Sequence, residues 1–187
     1  MKTIKINLIS LFILTGLVGI SINANSQDTK LDRKERKEAR KAEMSANFYA
    51  LDTLLMERRF ILEADFLQNK IGDMIPVSNT LNFVRVNGSD GILQTGSDSR
   101  IGYNGFGGVT AEGNVQSLKI NKDYKSFSHR VSFNLLSSLG AFNIDMVVTA
   151  DNNASATITG TTSGSLTWRG HLKSLENSRA YKGAVLR

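Results

Sequence analysis

Between Ser126 and Thr149 the sequence alternates apolar and polar residues with a period of two, and no other stretch limits the fold as strongly. Phe127, Val131, Phe133 and Leu135 hold every second position with His129 among them, and Phe142, Ile144, Met146 and Val148 repeat the pattern after Ser137-Ser138-Leu139-Gly140. The positions between them, including Ser128, Arg130, Ser132, Asn134, Asn143 and Asp145, are polar. Successive side chains of a strand point to opposite faces, so this spacing predicts a β-hairpin with one face on a core and the other toward water.

Most of the chain beyond Phe60 reads the same way. Phe60, Leu62, Ala64 and Phe66 alternate with Glu63 and Asp65, with Ile61 as an apolar exception on the polar face. Residues 69–78 read as a loop, carrying Gly72-Asp73 and Pro76, the chain's one proline. The segment 81–86 is apolar on both faces, and Asn87-Gly88-Ser89-Asp90-Gly91 is a turn that returns through Ile92 to Thr95. Further strands are expected at 115–121 and, after the turn Asp151-Asn152-Asn153, at 154–159 and around Leu166, Trp168, Gly170 and Leu172. The fold class is therefore mainly β: an antiparallel sandwich or small barrel of about seven to eight strands. Trp168 reads as a core anchor, with Gly170 making room for its ring. The tail, 175–187, has no periodicity.

The N-terminal part differs in character. Lys2 and Lys5 precede an apolar run of 15 residues from Leu8 to Ile22, and small residues follow at Ala24 and Ser26. This is the pattern of a cleaved signal peptide over 1–26, and the run is shorter than the roughly 20 residues of a spanning helix. Export to the periplasm or the cell exterior is expected, with no transmembrane segment after cleavage. There is no cysteine to carry a lipid anchor or a disulfide. Interleaved charges over 28–43 predict a solvated helical spacer, 27–43. Met44, Phe48, Leu51 and Leu55 then form one stripe of an amphipathic helix, 44–57, that docks on a β-rich domain spanning 44–174. The formal charge is +6, of which Lys2 and Lys5 supply two. The remainder is spread over both signs, so no clustered basic face for nucleic acid is expected.

Several segments carry a resemblance. Residues 60–65, 82–88, Gly102-Tyr103-Asn104-Gly105-Phe106-Gly107-Gly108 with the following 109–113, then 156–160 and Gly170-His171-Leu172, together resemble an exported family of Bacteroidota-type bacteria known as domain of unknown function four-two-five-one. The resemblance covers about the last two thirds of the chain. It implies an exported β-rich domain and transfers no activity, ligand or catalytic residue. Asp52-Thr53-Leu54 is similar to a short O-glycosylation acceptor pattern of such bacteria.

Candidate chemistry is sparse. Tyr103, Asn104, Gly105, Phe106, Gly107 and Gly108 form the expected ligand-binding loop, because glycine and aromatic residues on a loop of a rigid β scaffold are where contacts gather. Glu63 and Asp65 share one predicted strand face, about 7 Å apart, a separation compatible with paired carboxylates of a hydrolase. His129 and His171 are the only histidines, too few for a metal centre without other ligands. His129 is expected as a hydrogen-bonded core residue and His171 as a solvated one. No cofactor motif is present. The expectation is a non-catalytic binding or interaction module with a small-molecule or envelope-protein ligand, the loops around 102–108 and 72–76 serving as contact surface. The alternatives are a hydrolase using Glu63 and Asp65, and a structural domain tethered to an acidic surface by its basic helix.

Overall fold

A computed structural model describes residues 33–69, 71–96, 109–160 and 165–180. They form one helix, α1 (Arg33–Met56), and nine strands: β1 (Arg59–Gln68), β2 (Met74–Pro76), β3 (Phe83–Asn87), β4 (Asp90–Thr95), β5 (Val109–Asp123), β6 (Ser128–Ser137), β7 (Gly140–Thr149), β8 (Asn153–Thr159) and β9 (Ser165–Ser174). Eight of the strands follow one another antiparallel in the order β1-β3-β4-β5-β6-β7-β8-β9, and β9 pairs back onto β1. The sheet is thus a closed barrel, which decides between the two expected architectures. The short β2 extends the β3 side of β1, pairing Phe66 with Pro76 and Gln68 with Met74. The chain divides after Glu38; the first part contributes only the exposed start of α1 to the described residues, and the described residues from 39 onward form one compact unit.

Alternation builds the interior. Val131, Phe133 and Leu135 of β6 pair with Met146, Ile144 and Phe142 of β7, and Ala154, Ala156 and Ile158 of β8 continue the apolar face. Each fully buried valine, leucine, isoleucine, phenylalanine or methionine side chain among them contributes about 1.5–3 kcal/mol relative to exposure. The outward positions on the same strands, such as Asp145, Ser155 and Thr157, are exposed. The long β5 serves two neighbours, pairing with β4 over Val109–Asn114 and with β6 over Gly113–Asp123. A register shift between Gln116 and Lys119, with Ser117 at φ 54°, bends it between the two.

The helix closes against one end of this interior. Residues 33–43 of α1 are exposed throughout, whereas Phe48, Leu51 and Leu55, at helical spacing, are buried. Leu51 and Leu55 join the barrel's apolar cluster. Phe48 meets Tyr124 and Phe127 of the β5–β6 connection and stacks on His129 at a ring separation of 4.3 Å. Lys122 at the end of β5 donates to Asp52 of α1 at 2.8 Å. Thr53, within the resembled acceptor triplet, turns its hydroxyl onto the Tyr49 carbonyl of the same helix.

The β1–β9 seam departs from the simple pattern. Its register shifts between Ala64 and Phe66, so Asp65 is an extra residue on β1. A Cβ built on Gly170 would stand 1.9 Å from the Glu63 carbonyl oxygen and 2.8 Å from Ala64 Cα. Gly170 therefore makes room for the β1 backbone, and not, as expected, for the Trp168 ring; Trp168 itself is buried in the interior. Ile61, the exception on the polar face, has a partner outside the barrel. With Phe83 and Ile92 it forms a second small apolar cluster under Leu175 and Ala180 of the irregular tail.

Glu63 holds that tail down. Its carboxylate accepts from Lys173 Nζ at 2.7 Å, Ser178 Oγ at 2.6 Å and Arg179 N at 3.3 Å. Burial pushes the Glu63 carboxyl up, but these three donors together outweigh it and hold the group below its ordinary 4.5. A depressed folded value means the stabilisation is present above about pH 4.5 and is lost as pH falls through the folded value. Glu63→Gln should therefore cost about 1–3 kcal/mol at neutral pH. In urea titrations the gap between the two proteins should shrink at about pH 3. A gap independent of pH would show that the charge of Glu63 is not what fastens the tail.

Candidate functional site

The bulge at Asp65 assembles a cleft on the outer face of β1, β9, β8 and β7. Arg169 and His171 are both outward residues of β9; Arg169 pairs with Phe66 of β1 and with Ser155 of β8, and His171 pairs with Asn153. The extra residue on β1 lets the Asp65 carboxylate reach sideways. Its Oδ2 lies 2.8 Å from His171 Nδ1, and its Oδ1 accepts from Asn79 Nδ2 at 3.0 Å. The backbone is fixed as well, since Asp65 O accepts from Val77 N at 2.9 Å. Asp65, Phe66, Asn153, Ser155, Arg169 and His171 line a cleft of about 300 Å³, with Asn79 and Val77 bracing Asp65 from outside it.

The hydrogen-bond pattern sets what the cleft offers. An ionised carboxylate can only accept, so Nδ1 of His171 carries the proton shared with Asp65, and Nε2 of a neutral ring is left as an acceptor. The His171 side chain is 51% exposed and Asp65 30%, so the ring is accessible while its support is partly covered. Arg169 Nε donates to Gln68 Oε1 at 3.2 Å, which orients the guanidinium and leaves its two terminal nitrogens for a ligand. Phe66 adds an aromatic surface that is 42% exposed.

The structure separates the residues singled out by sequence. Glu63 is buried, at 2% exposure, and its carboxylate is taken up by Lys173 and the tail, whereas Asp65 faces the cleft with His171. The two carboxylates do not share one site, and the expected hydrolase pair is not formed. The physical reason is the bulge, which breaks the strict alternation on which that pairing rested. His171 is held by a carboxylate, not merely solvated. His129 is in the core, but neither ring nitrogen has a hydrogen-bond partner among the described residues, contrary to expectation. Its Nε2 stands 3.3 Å from Asp52 Oδ1 without hydrogen-bond alignment. Burial lowers its pKa below the ordinary 6.5, with the Asp52 carboxylate opposing the shift.

The glycine-rich segment, Tyr103 to Gly108, lies outside the described residues, as does the predicted signal peptide. The second expected contact loop, 72–76, is not all loop: Met74–Pro76 is the strand β2, hydrogen-bonded to β1, and its Met74 and Ile75 side chains are exposed, flanked by Ile71 at 88% exposure. No group of three or more potential metal ligands occurs among the described residues. Arg169 and the Asp65–His171 pair escaped sequence reasoning because they lie 106 residues apart in the chain and meet only when the barrel closes. The one local signal was the outward alternation of Arg169 and His171 on the last strand.

The whole cleft falls within a recognisable sequence region. A family model described as a domain of unknown function (DUF4251) matches residues 42–172. The crystal structure of a DUF4251 family protein from Bacteroides eggerthii DSM 20697, at 1.95 Å resolution, is similar over 74% of this chain and 94% of that chain, with 30% sequence identity and a TM-score of 0.63. No curated protein matches the chain.

Proposed function

Because the chain belongs to the DUF4251 family, whose description assigns no activity, we propose from the cleft itself that this protein is a non-catalytic binding module. In this reading the export pattern at residues 1–26 delivers the domain to the periplasm or cell exterior. There it takes a small ligand, or a small group displayed by an envelope partner, against the outer face of β1, β9 and β8. The observation that carries the proposal is the set of braced polar groups: Arg169 steadied by Gln68, and His171 steadied by Asp65, which is itself held by Asn79 and Val77. Side chains fixed by their neighbours lose little freedom on binding, which is what a recognition surface requires. The barrel interior, by contrast, is occupied by its own bulky residues, including Phe60, Phe133, Met146 and Trp168.

Native mass spectrometry of the protein isolated from its own envelope tests this. A discrete small adduct, lost on unfolding, is expected for the natural chain and should be absent from Ser155→Trp, which fills the cleft from an exposed strand position. Bare masses for both proteins, or an adduct that survives in Ser155→Trp, would exclude the cleft as the binding site.

A further inference from the structure

We infer that the ligand of this cleft is a sugar acid, a hexuronate-type unit presenting one carboxylate and several hydroxyls. The inference rests on the binding reading above and names the chemistry of the same site.

Start with charge. Asp65 is the only carboxylate among the described residues that line the cleft, and both its oxygens are engaged, by His171 and Asn79. Arg169 contributes a cation whose terminal nitrogens remain for a partner. The planar fork of a guanidinium matches a carboxylate in two parallel hydrogen bonds, so the group that best completes the cleft beside Arg169 is a carboxylate.

The opposite end calls for a different partner. With Nδ1 of His171 turned to Asp65, Nε2 is the ring nitrogen left for a ligand hydroxyl, which can serve it as donor or acceptor. Asn153 spends one Nδ2 hydrogen on Asp151 Oδ2 at 2.7 Å, and its side-chain oxygen remains as an acceptor. Uncharged polar groups such as hydroxyls, which both donate and accept, suit these two positions. An ammonium group would seek an uncompensated carboxylate, and Asp65 is already compensated, so a zwitterionic amino acid fits less well.

Spacing and shape narrow the class further. Arg169 and His171 are two residues apart on one strand face, about 6.6 Å along the strand. Side chains rooted that far apart are better bridged by a six-membered sugar carrying a carboxylate and hydroxyls on different ring atoms than by an α-substituted small acid, whose two groups sit on adjacent atoms. Phe66 lies beside Arg169 in the register and offers an apolar surface for the C–H face of such a ring. A volume of about 300 Å³ is at the small end of ligand sites, the scale of one sugar unit.

The experiment is an NMR titration of the protein isolated from cells expressing the full chain, following the His171 ring and the Arg169 side chain. The probes are galacturonate, galactose and acetate. Galacturonate should shift both signals saturably, and bind at least about tenfold more tightly than either galactose or acetate, the equivalent of one well-made charged hydrogen-bond pair. Arg169→Gln should weaken galacturonate about tenfold while leaving galactose unchanged. His171→Gln should weaken galacturonate and leave acetate unchanged. Both positions are exposed, so retention of the Trp168 near-ultraviolet signal checks the fold. Equal binding of galactose and galacturonate would overturn the carboxylate assignment, and equal binding of acetate and galacturonate would overturn the sugar. If galacturonate leaves both signals unmoved while an envelope adduct persists and is lost in Ser155→Trp, the ligand class is wrong and the binding reading stands. Failure of both experiments removes both.

Discussion

Gly170→Ala should destabilise the protein by at least about 3 kcal/mol, the upper end of what an added methyl group costs in a packed site. The added Cβ would fall 1.9 Å from the Glu63 carbonyl oxygen and 2.8 Å from Ala64 Cα. These are backbone atoms of the neighbouring strand, which cannot rotate away as a side chain would. Relief requires β1 and β9 to part where their register already shifts. Gly160 supplies the control: among the described residues a Cβ there would meet only the Phe142 ring edge at 3.4 Å, ordinary contact, so Gly160→Ala should change stability by less than about 1 kcal/mol. Urea unfolding of the three proteins decides it, and a Gly170→Ala variant as stable as Gly160→Ala would mean that the seam is far more pliant than its geometry indicates.

Phe48→Ala should remove about 3–5 kcal/mol, the usual cost of deleting a buried phenylalanine. It should also change how the protein responds to acid. Phe48 is 1% exposed and stacks on His129 at the end of the barrel that α1 covers. In the natural protein burial depresses the His129 pKa below 6.5. Below that value the unfolded chain takes up a proton more readily than the folded one, so stability is full above about pH 6.5 and declines as pH falls toward the folded value. Removing the Phe48 ring admits water to His129, brings its folded pKa back toward the ordinary value and flattens this decline. The charged groups facing His129 are Asp52 from α1, which opposes the shift, and Lys122 from β5, which reinforces it. Guanidinium unfolding at about pH 7.5 and about pH 5.5 should therefore show a smaller penalty for Phe48→Ala at the acidic pH. A penalty equal at both would place the source of acid sensitivity elsewhere.

The sequence was most readable where each strand's partner is its neighbour in the chain. The Ser126–Thr149 hairpin and the turn at residues 87–91 follow from local alternation and turn residues, and the structure pairs Phe133 with Ile144 and Val86 with Gly91. Closure was not readable, because a sandwich and a barrel share the same alternation and differ only in whether β9 returns to β1. Ile61 looked anomalous for a related reason. Its cover, Leu175 and Ala180, belongs to a segment with no period at all. The candidate site was the least legible part. One inserted residue at Asp65 turned a presumed carboxylate pair into a buried clasp at Glu63 and a histidine support at Asp65, and strand periodicity carries no mark of a bulge.

The C-terminal tail acquires a meaning from its place beside the seam. The β1–β9 junction joins the two ends of the strand series, so it is the line along which a partly opened barrel would present unpaired backbone on β1 and β9. Such edges are templates for pairing with a second chain. The tail lies over β1 and its neighbours through Leu175 and Ala180, and is fastened to Glu63 of β1 by Ser178 and Arg179, while Lys173 of the opposing strand bonds the same carboxylate. It thereby spans the seam on the barrel's outer surface and opposes the parting of β1 from β9 that would expose those edges.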